Sequence, residues 1–366
     1  MMMQKSNRIL VFGEGGAYKS AVIFDLCVAV ASEKNKLIRE LDVKHHGPVL
    51  INSTEGSIFD NKNRLLSHMR AHGVNPAVLP LHFCQQPFCL DDQLDVQELE
   101  YHLKEIKPVL VVLDPLDSFF SGDENSSKET KALRREIDRM IDEYQCTFVV
   151  IHHQTKQGPK SEGKATPRGS TAWYGWADAV LHFKSYKKKI GLPTATEIVT
   201  VESQKQRNGA KGHIFSAVPI IDDVLKLTYF VYYNGKDAEG VTCAFYKFQI
   251  YRALRASNAP MTNLMLAEAI GVRAEKLTEP LELLEAEGLI AKDASVPRAF
   301  GEGGLKIRAV PAWQARIPMS AVDGAKIMID DEEIELQQML VDPLPPGTAL
   351  ADEQDDGGLR PVGAPA

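Results

Sequence analysis

Residues 9–20 read ILVFGEGGAYKS. Four apolar residues, Ile9 to Phe12, run into a glycine-rich turn, and the turn ends at Lys19-Ser20, where a helically spaced apolar stretch continues through Ala31. A buried strand, a tight turn and a helix in that order aim successive backbone N–H groups and a helix N-terminus at one point, which makes an anion site. A lysine and a hydroxyl at the start of the helix suit the β and γ phosphates of a nucleotide and a Mg²⁺ ion. Gly13, Glu14, Gly15, Gly16, Ala17, Tyr18, Lys19 and Ser20 are therefore the expected nucleotide-binding loop, with Ser20 as a metal ligand and ATP and Mg²⁺ as cofactors. The usual spacing is G-x-x-x-x-G-K-[ST], and Tyr18 stands where the second glycine belongs. A β-carbon takes space there that phosphates need, which argues against fast turnover.

Further apolar runs at 49–51, 109–113, 148–151 and 179–182 alternate with helical patterns such as 20–31 and 128–144. Continuous apolar strands separated by helices predict an α/β fold, a parallel sheet covered on both faces. Three runs end in groups able to do chemistry. Val109 to Leu113 leads into Asp114, a second expected Mg²⁺ ligand, although an Asp at a strand end also serves as a turn former. Val49 to Ile51 leads to Glu55, which is placed to polarise an attacking water or, alternatively, to cap the next helix. Phe148 to Ile151 ends in His152-His153, where His153 suits sensing of the γ phosphate; a structural role or a metal role is the other reading, and no third ligand is spaced nearby.

The run GEGGAYKS, then STEG, VLVVLDPLDSFF with GDENS behind it, VVIHHQTK and PRGSTA resembles the RepA-type hexameric replicative helicases within the RecA-like, DnaB-related P-loop ATPases. The resemblance spans roughly residues 8–210 and extends to Lys205-Gln206-Arg207-Asn208-Gly209, similar to the K-x-R-N-G segment of DnaB-type helicases. It implies that Lys205 and Arg207 act in the nucleotide site of a neighbouring subunit, so that hydrolysis depends on assembly, into a hexamer in that family's manner. A solvated basic hairpin turn is the plainer reading of the same residues. The resemblance also places the loop Lys156 to Ser170, with Lys156, Lys160, Lys164 and Arg168 against Glu162, on a central channel facing single-stranded DNA. Trp173, Tyr174 and Trp176 fit either helix–sheet core or base stacking, and Lys187-Lys188-Lys189 reads as a solvated turn. The chain begins almost at its first strand, so the extra N-terminal domain of DnaB-type helicases is not expected.

The chain has 366 residues, 44% hydrophobic and 25% charged, enough for two or so domains with a sizeable core. Five cysteines without paired C-x-x-C knuckles, no signal-like leader and no apolar run of membrane-spanning length suggest a reducing cytoplasm and no membrane partner. The net charge of −7 is unevenly placed: residues 318–366 hold eleven acidic and two basic residues, a net of −9, which leaves the preceding body at +2. A basic body with an acidic appendage is compatible with a polyanionic partner.

The expected organisation is a RecA-like ATPase domain over 1–235, a winged-helix-like domain over 240–315 and an acidic, mostly disordered tail over 318–366. Within the second unit the presumed recognition segment, Arg273 to Glu287, has two basic and five acidic residues and is interrupted by Pro280, which favours contact with replication or recombination proteins over base reading. The expected function is an ATP-hydrolysing, DNA-dependent, ring-forming helicase-like motor on single-stranded DNA in replication. Two alternatives stand beside it: a RecA-like recombination or annealing ATPase that coats single strands, and a nucleotide-regulated DNA-binding adaptor with little turnover.

Overall fold

Ile9, Leu10, Val11 and Phe12 are all fully buried, so this short strand carries layers on both faces. It is β1 (Arg8–Gly13), and α1 (Lys19–Ala31), β2 (Lys36–Leu37), β3 (Leu41–Asp42), β4 (Val49–Ser53), α2 (Ile58–His72), β5 (Leu81–Cys84) and α3 (Gln93–Ile106) follow. Then come β6 (Leu110–Asp114), α4 (Ser127–Tyr144), β7 (Thr147–His153), α5 (Thr171–Trp176), β8 (Ala179–Lys188), β9 (Thr196–Gln206), β10 (Gly212–Asp222) and β11 (Leu227–Tyr233). The chain continues with α6 (Glu239–Ala256), α7 (Asn263–Ile270), α8 (Thr278–Ala286), β12 (Ile290–Phe300) and β13 (Lys306–Ala315). The computed structural model describes residues 7–33, 36–38, 40–72, 74–122, 126–154, 171–190, 196–207, 209–222, 227–235, 239–257, 259–286, 289–300 and 306–315.

The main sheet runs β11-β10-β9-β8-β1-β7-β6-β4-β5. From β8 to β5 every pairing is parallel, and β9, β10 and β11 add an antiparallel meander. Alternate residues of each strand feed opposite cores, as a period of two requires. Ile9, Val11, Ile51 and Val149 pack with α1 and α2, whereas Leu10, Phe12, Leu50 and Val150 pack with α3, α4 and α5. This mixed α/β sandwich with a largely parallel sheet fits a RecA-like P-loop core.

Local chemistry sets the helix ends. Asp92 caps α3 by accepting from the N–H groups of Leu94 and Asp95, and Ser126 caps α4 by accepting from that of Glu129. Both helices end at residues in the left-handed conformation, Lys107 and Gln145. The last two strands of the meander are β10, ending at Asp222, and β11, starting at Leu227. Lys187 and Lys188, expected in a turn, extend β8 instead, paired with Glu197 and Thr196.

Beyond residue 239 the described elements are three helices and a hairpin around a separate core of Tyr246, Ile250, Leu266, Leu281, Ile290 and Trp313. Met261 bridges Trp313 through paired backbone hydrogen bonds, tying the start of α7 to β13. Pro280 lies in the first turn of α8, where its missing N–H costs no helical bond, so the helix restarts at Thr278 after a short 3-10 turn. α6 also packs Val241 and Phe248 against Ile198, Val218 and Tyr233 of the meander. The acidic segment 318–366 lies outside the described residues.

One buried polar contact joins the helices beneath the phosphate loop. Asp25 of α1 is 2% exposed, its Oδ2 lies 3.2 Å from both His68 Nδ1 and His72 Nε2 of α2, and its Oδ1 accepts from the Ile38 N–H at 2.8 Å. Burial alone would raise the Asp25 pKa, but hydrogen bonding from His68 and His72 overrides it and holds the carboxyl well below the usual carboxylate range. A depressed folded-state pKa contributes stability that is present above the unfolded value and lost as pH falls. Denaturant titrations are therefore expected to show stability dropping below about pH 4. Asp25→Asn should flatten that acid limb and, by leaving two buried imidazoles without their anion, cost about 3 kcal/mol at neutral pH. An unchanged acid limb in the variant would remove Asp25 from this role.

Candidate nucleotide site

β1 delivers the phosphate loop to the carboxyl edge of the parallel sheet. Gly13 is required there because a β-carbon would sit 2.4 Å from the Phe183 carbonyl oxygen. Gly16 takes φ +78°, and Tyr18 takes φ 60° and ψ 24° in the left-handed region. The demand for glycine at position 18 is thus conformational as well as spatial. The Tyr18 side chain is anchored away from the loop: its hydroxyl donates to Glu197 Oε2 at 3.2 Å, and its ring meets Phe230 edge-on at 6.0 Å. Burial, with Glu197 adding, pushes its pKa up to about 12, so the hydroxyl keeps its proton.

The N-terminus of α1 has no side-chain cap and no acidic residue in its first turn, so its N–H groups and partial positive charge face the loop. Lys19 is only 6% exposed and donates to the carbonyls of Gly13 at 3.2 Å and Glu14 at 2.9 Å. Burial lowers its pKa, and Glu55 and Asp114 oppose that shift. Its carboxylate neighbours come from adjacent strands. Asp114 ends β6 fully buried; Ser53 Oγ donates to its Oδ2 at 3.3 Å, and Ser20 also donates to the carboxyl. Burial pushes the Asp114 pKa up to about 6; the bonds from Ser20 and Ser53 and the charge of Lys19 work against this, and Glu55 works with it.

Glu55 sits on the exposed turn leaving β4, whose backbone is held by three bonds: Thr54 N–H to Asp114 O at 2.9 Å, Asn61 Nδ2 to Glu55 O at 3.0 Å and Gln85 Nε2 to Gly56 O at 2.8 Å. Lys19, Ser20, Glu55 and Asp114 are thus brought together. The set fits ATP and Mg²⁺. Asp114 Oδ1 is buried without a protein partner, and Lys19 rests on two main-chain carbonyls that a phosphate can replace.

β7 pairs with β1 so that His153 lies opposite Gly13. Strand alternation puts His153 on the α1 face and the buried His152 on the other, and the His153 N–H donates to His152 Nδ1 at 2.9 Å. Beside them lies a group that motif reading overlooks. His182, 4% exposed in the middle of β8, stacks on Phe12 at 4.5 Å and bonds Gln154 Oε1 and Gln204 Nε2, each at 3.1 Å. Its signal in the sequence is faint: an imidazole inside an otherwise apolar strand.

Lys205 and Arg207 are not in this site. β8 aligns Phe183 with Gly13 and Ala179 with Ile9, while Lys205 pairs with Val180 and Gln206 with Ala179. Both basic residues therefore lie toward the far edge of the sheet, Lys205 three strand residues (roughly 10 Å) and Arg207 about five (roughly 16 Å) below the loop. Within the chain Lys205 donates to the carbonyls of Tyr174 and Gly175, each at 2.7 Å, and Arg207 Nε lies 3.1 Å from Asp178 Oδ1 with half its side chain exposed. Lys156, Lys160, Lys164 and Arg168, expected to meet nucleic acid, lie outside the described residues. Trp173 and Trp176 are 1% and 6% exposed, and Trp176 donates to Asp138, so stacking on bases is overturned for both by their burial in the core. Cys84 is a buried free thiol, and no cluster among the described residues could hold a metal by His, Cys, Asp or Glu ligands alone.

Residues 1–159 match the family model described as AAA domain. That stretch contains the phosphate loop, Glu55, Asp114 and His153, and with the fold it supports a RecA-like P-loop ATPase. Among solved structures, a KaiC-like protein from the hyperthermophilic archaeon Pyrococcus horikoshii OT3 is similar at 14% identity and a TM-score of 0.40, covering 63% of this chain and 91% of that one. No curated protein matches the chain. No helix of the described residues is long and apolar enough to cross a membrane.

Lys19→Ala should weaken binding of a fluorescent ATP analogue by at least about tenfold, the effect of losing roughly 1.4 kcal/mol from a desolvated charge–phosphate contact. Asp114→Asn should abolish the Mg²⁺ dependence of that binding while leaving metal-free binding intact. Equal Mg²⁺ dependence in wild type and variant would remove Asp114 from the metal site.

Proposed function

We propose that the chain is a cytoplasmic, ATP-hydrolysing motor of the ring-forming helicase kind, stimulated by single-stranded DNA. The observation that carries this reading is the separation of Lys205 and Arg207 from the loop of their own subunit. A basic pair at one sheet edge and a phosphate site at the other complement each other across a head-to-tail interface, which closes into a ring when the rotation allows. In that reading the loop N–H groups and Lys19 hold the phosphates, and Ser20 and Asp114 hold the metal. Mg²⁺ held by these residues would neutralise charge on the nucleotide phosphates. Glu55 orients the attacking water and accepts its proton. His153 reports on the γ phosphate. The neighbouring subunit's Lys205 and Arg207 stabilise charge as the phosphoryl group departs, after exchanging their contacts to Tyr174, Gly175 and Asp178.

Lys156, Lys160, Lys164 and Arg168 would then grip DNA phosphates, the unit over 240–315 would be a winged-helix-like protein contact, and the ring would be a hexamer of this chain. Tyr18 favours one rival, the adaptor with little turnover, since a left-handed tyrosine in the loop restricts its rearrangement.

Turnover per subunit is expected to rise with protein concentration and again with single-stranded DNA. Arg207→Ala should spare nucleotide binding and lower turnover by about 10³-fold, the scale of a trans-acting arginine. Mixing Lys19→Ala with Arg207→Ala subunits should restore part of the activity, because each supplies what the other lacks. Activity independent of concentration, with no rescue on mixing, would sink the shared site. A forked duplex released only with ATP separates a helicase from a coating protein.

A further inference from the structure

We propose that His182 is a positioning residue that ties the phosphate loop to the aim of Lys205 and Arg207, acting through a β-bulge at Gln204. The bulge is visible in the β8–β9 register: Leu181 pairs with Ser203 and Val180 with Lys205, which leaves Gln204 as the extra residue. A bulge reverses which side chains face which side of a strand and bends it, so its presence decides where the next residues point. Those next residues are Lys205, Gln206 and Arg207. Ser203 Oγ donates across the bulge to the Lys205 carbonyl at 3.3 Å.

The bonds form one connected path. The Gln154 N–H donates to the Gly13 carbonyl at 3.2 Å, at the root of the phosphate loop. His182 Nε2–H donates to Gln154 Oε1, and Gln204 Nε2–H donates to His182 Nδ1, each at 3.1 Å. The Tyr174 hydroxyl donates to the Gln204 carbonyl at 3.1 Å, and Lys205 donates back to the Tyr174 carbonyl at 2.7 Å. One donor and one acceptor on the ring are needed, which fixes a neutral imidazole with its proton on Nε2. Phe12, stacked 3° from parallel, sets the ring plane so that both nitrogens meet their amides. The buried imidazole of β8 is thus held by Phe12 of β1, by Gln154 just after β7 and by Gln204 of β9. Displacement of Gln154 when the loop fills is passed to the bulge, because the ring cannot satisfy both amides in another orientation.

The inference rests on the proposed trans role of Lys205 and Arg207, but its test does not need turnover. His182→Phe keeps the burial and the stack on Phe12 and deletes both ring bonds. His182→Gln loses the stack and keeps one donor and one acceptor. The amine-labelling rate of Lys205, read by mass spectrometry with exposed Lys187 as internal reference, is expected to rise several-fold in His182→Phe and to stay near wild type in His182→Gln. Concentration-dependent ATPase should be lost in the first, retained in the second, with nucleotide affinity within about threefold in both, a difference below the tenfold worth 1.4 kcal/mol.

A packing role predicts the reverse order, Phe tolerated and Gln not. Either that order or unchanged Lys205 labelling in His182→Phe overturns the proposal. Should His182→Phe fail to fold, Gln204→Ala at the half-buried bulge serves the same comparison. Wild-type turnover that ignores protein concentration would overturn the trans reading alone, while the labelling ratio still decides the role of His182.

Discussion

Lys19 is a cation with almost no water around it. It is 6% exposed, its ammonium resting on two main-chain carbonyls and near two carboxylates, one of them buried. A buried charge is tolerable only with partners held in place, and the rest of the core is arranged to hold them. β1 must be flanked on both sides, which buries its four apolar residues and forces glycine at position 13, where Phe183 of β8 comes close. β6 and β4 must end side by side so that Ser53 can bond Asp114. α2 must start where Asn61 can hold the Glu55 backbone, and the contact of Asp25 with His68 and His72 fixes that helix against α1.

In the proposed assembly, the same constraint calls for a residue from a neighbouring subunit. With Lys19, the α1 N-terminus and Ser20 on one side of the phosphates, a further cation is useful on the other, where charge builds as the bond breaks. Parallel strands put the strand-to-helix loops of one subunit at a single sheet edge, and the meander returns β9 to the opposite edge. Arg207 there is paired with Asp178, which also binds Arg8 at the base of β1. Under the proposed trans role, exchange of this half-exposed arginine to another anion would leave Asp178 still paired with Arg8.

The loop and the acidic strand ends were legible because their signals are local: continuous apolar runs, glycines before Lys19-Ser20, a carboxylate after each strand. α2 mixes Asp, Asn, Lys and Arg with few apolar positions, whereas α3 carries Val96, Leu99, Leu103 and Ile106 at helical spacing that the sequence reading did not use. β5, four residues with His82 inside, is too short for a pattern. His182 and Gln204 are a different kind of omission. Their importance depends on which residue of β8 faces which residue of β9, and a bulge that shifts this by one has no composition of its own.

Tyr18 joins these strands of argument. A tyrosine in the left-handed region costs about 1–2 kcal/mol relative to the glycine that fits there. Its ring packs against Phe230, which itself stacks on His68, and its hydroxyl bonds Glu197 at the start of β9. Full burial of a large apolar side chain contributes about 1.5–3 kcal/mol, and Tyr18 is partly buried, so its contacts offset a share of the backbone strain. Glycine would remove the strain and the tether together. β9 is therefore connected to the phosphate loop at two points, through Tyr18 near its beginning and through His182 and Gln154 near its end. The loop departure that looks like a defect in the motif thus also places a tether on the strand that leads to Lys205 and Arg207.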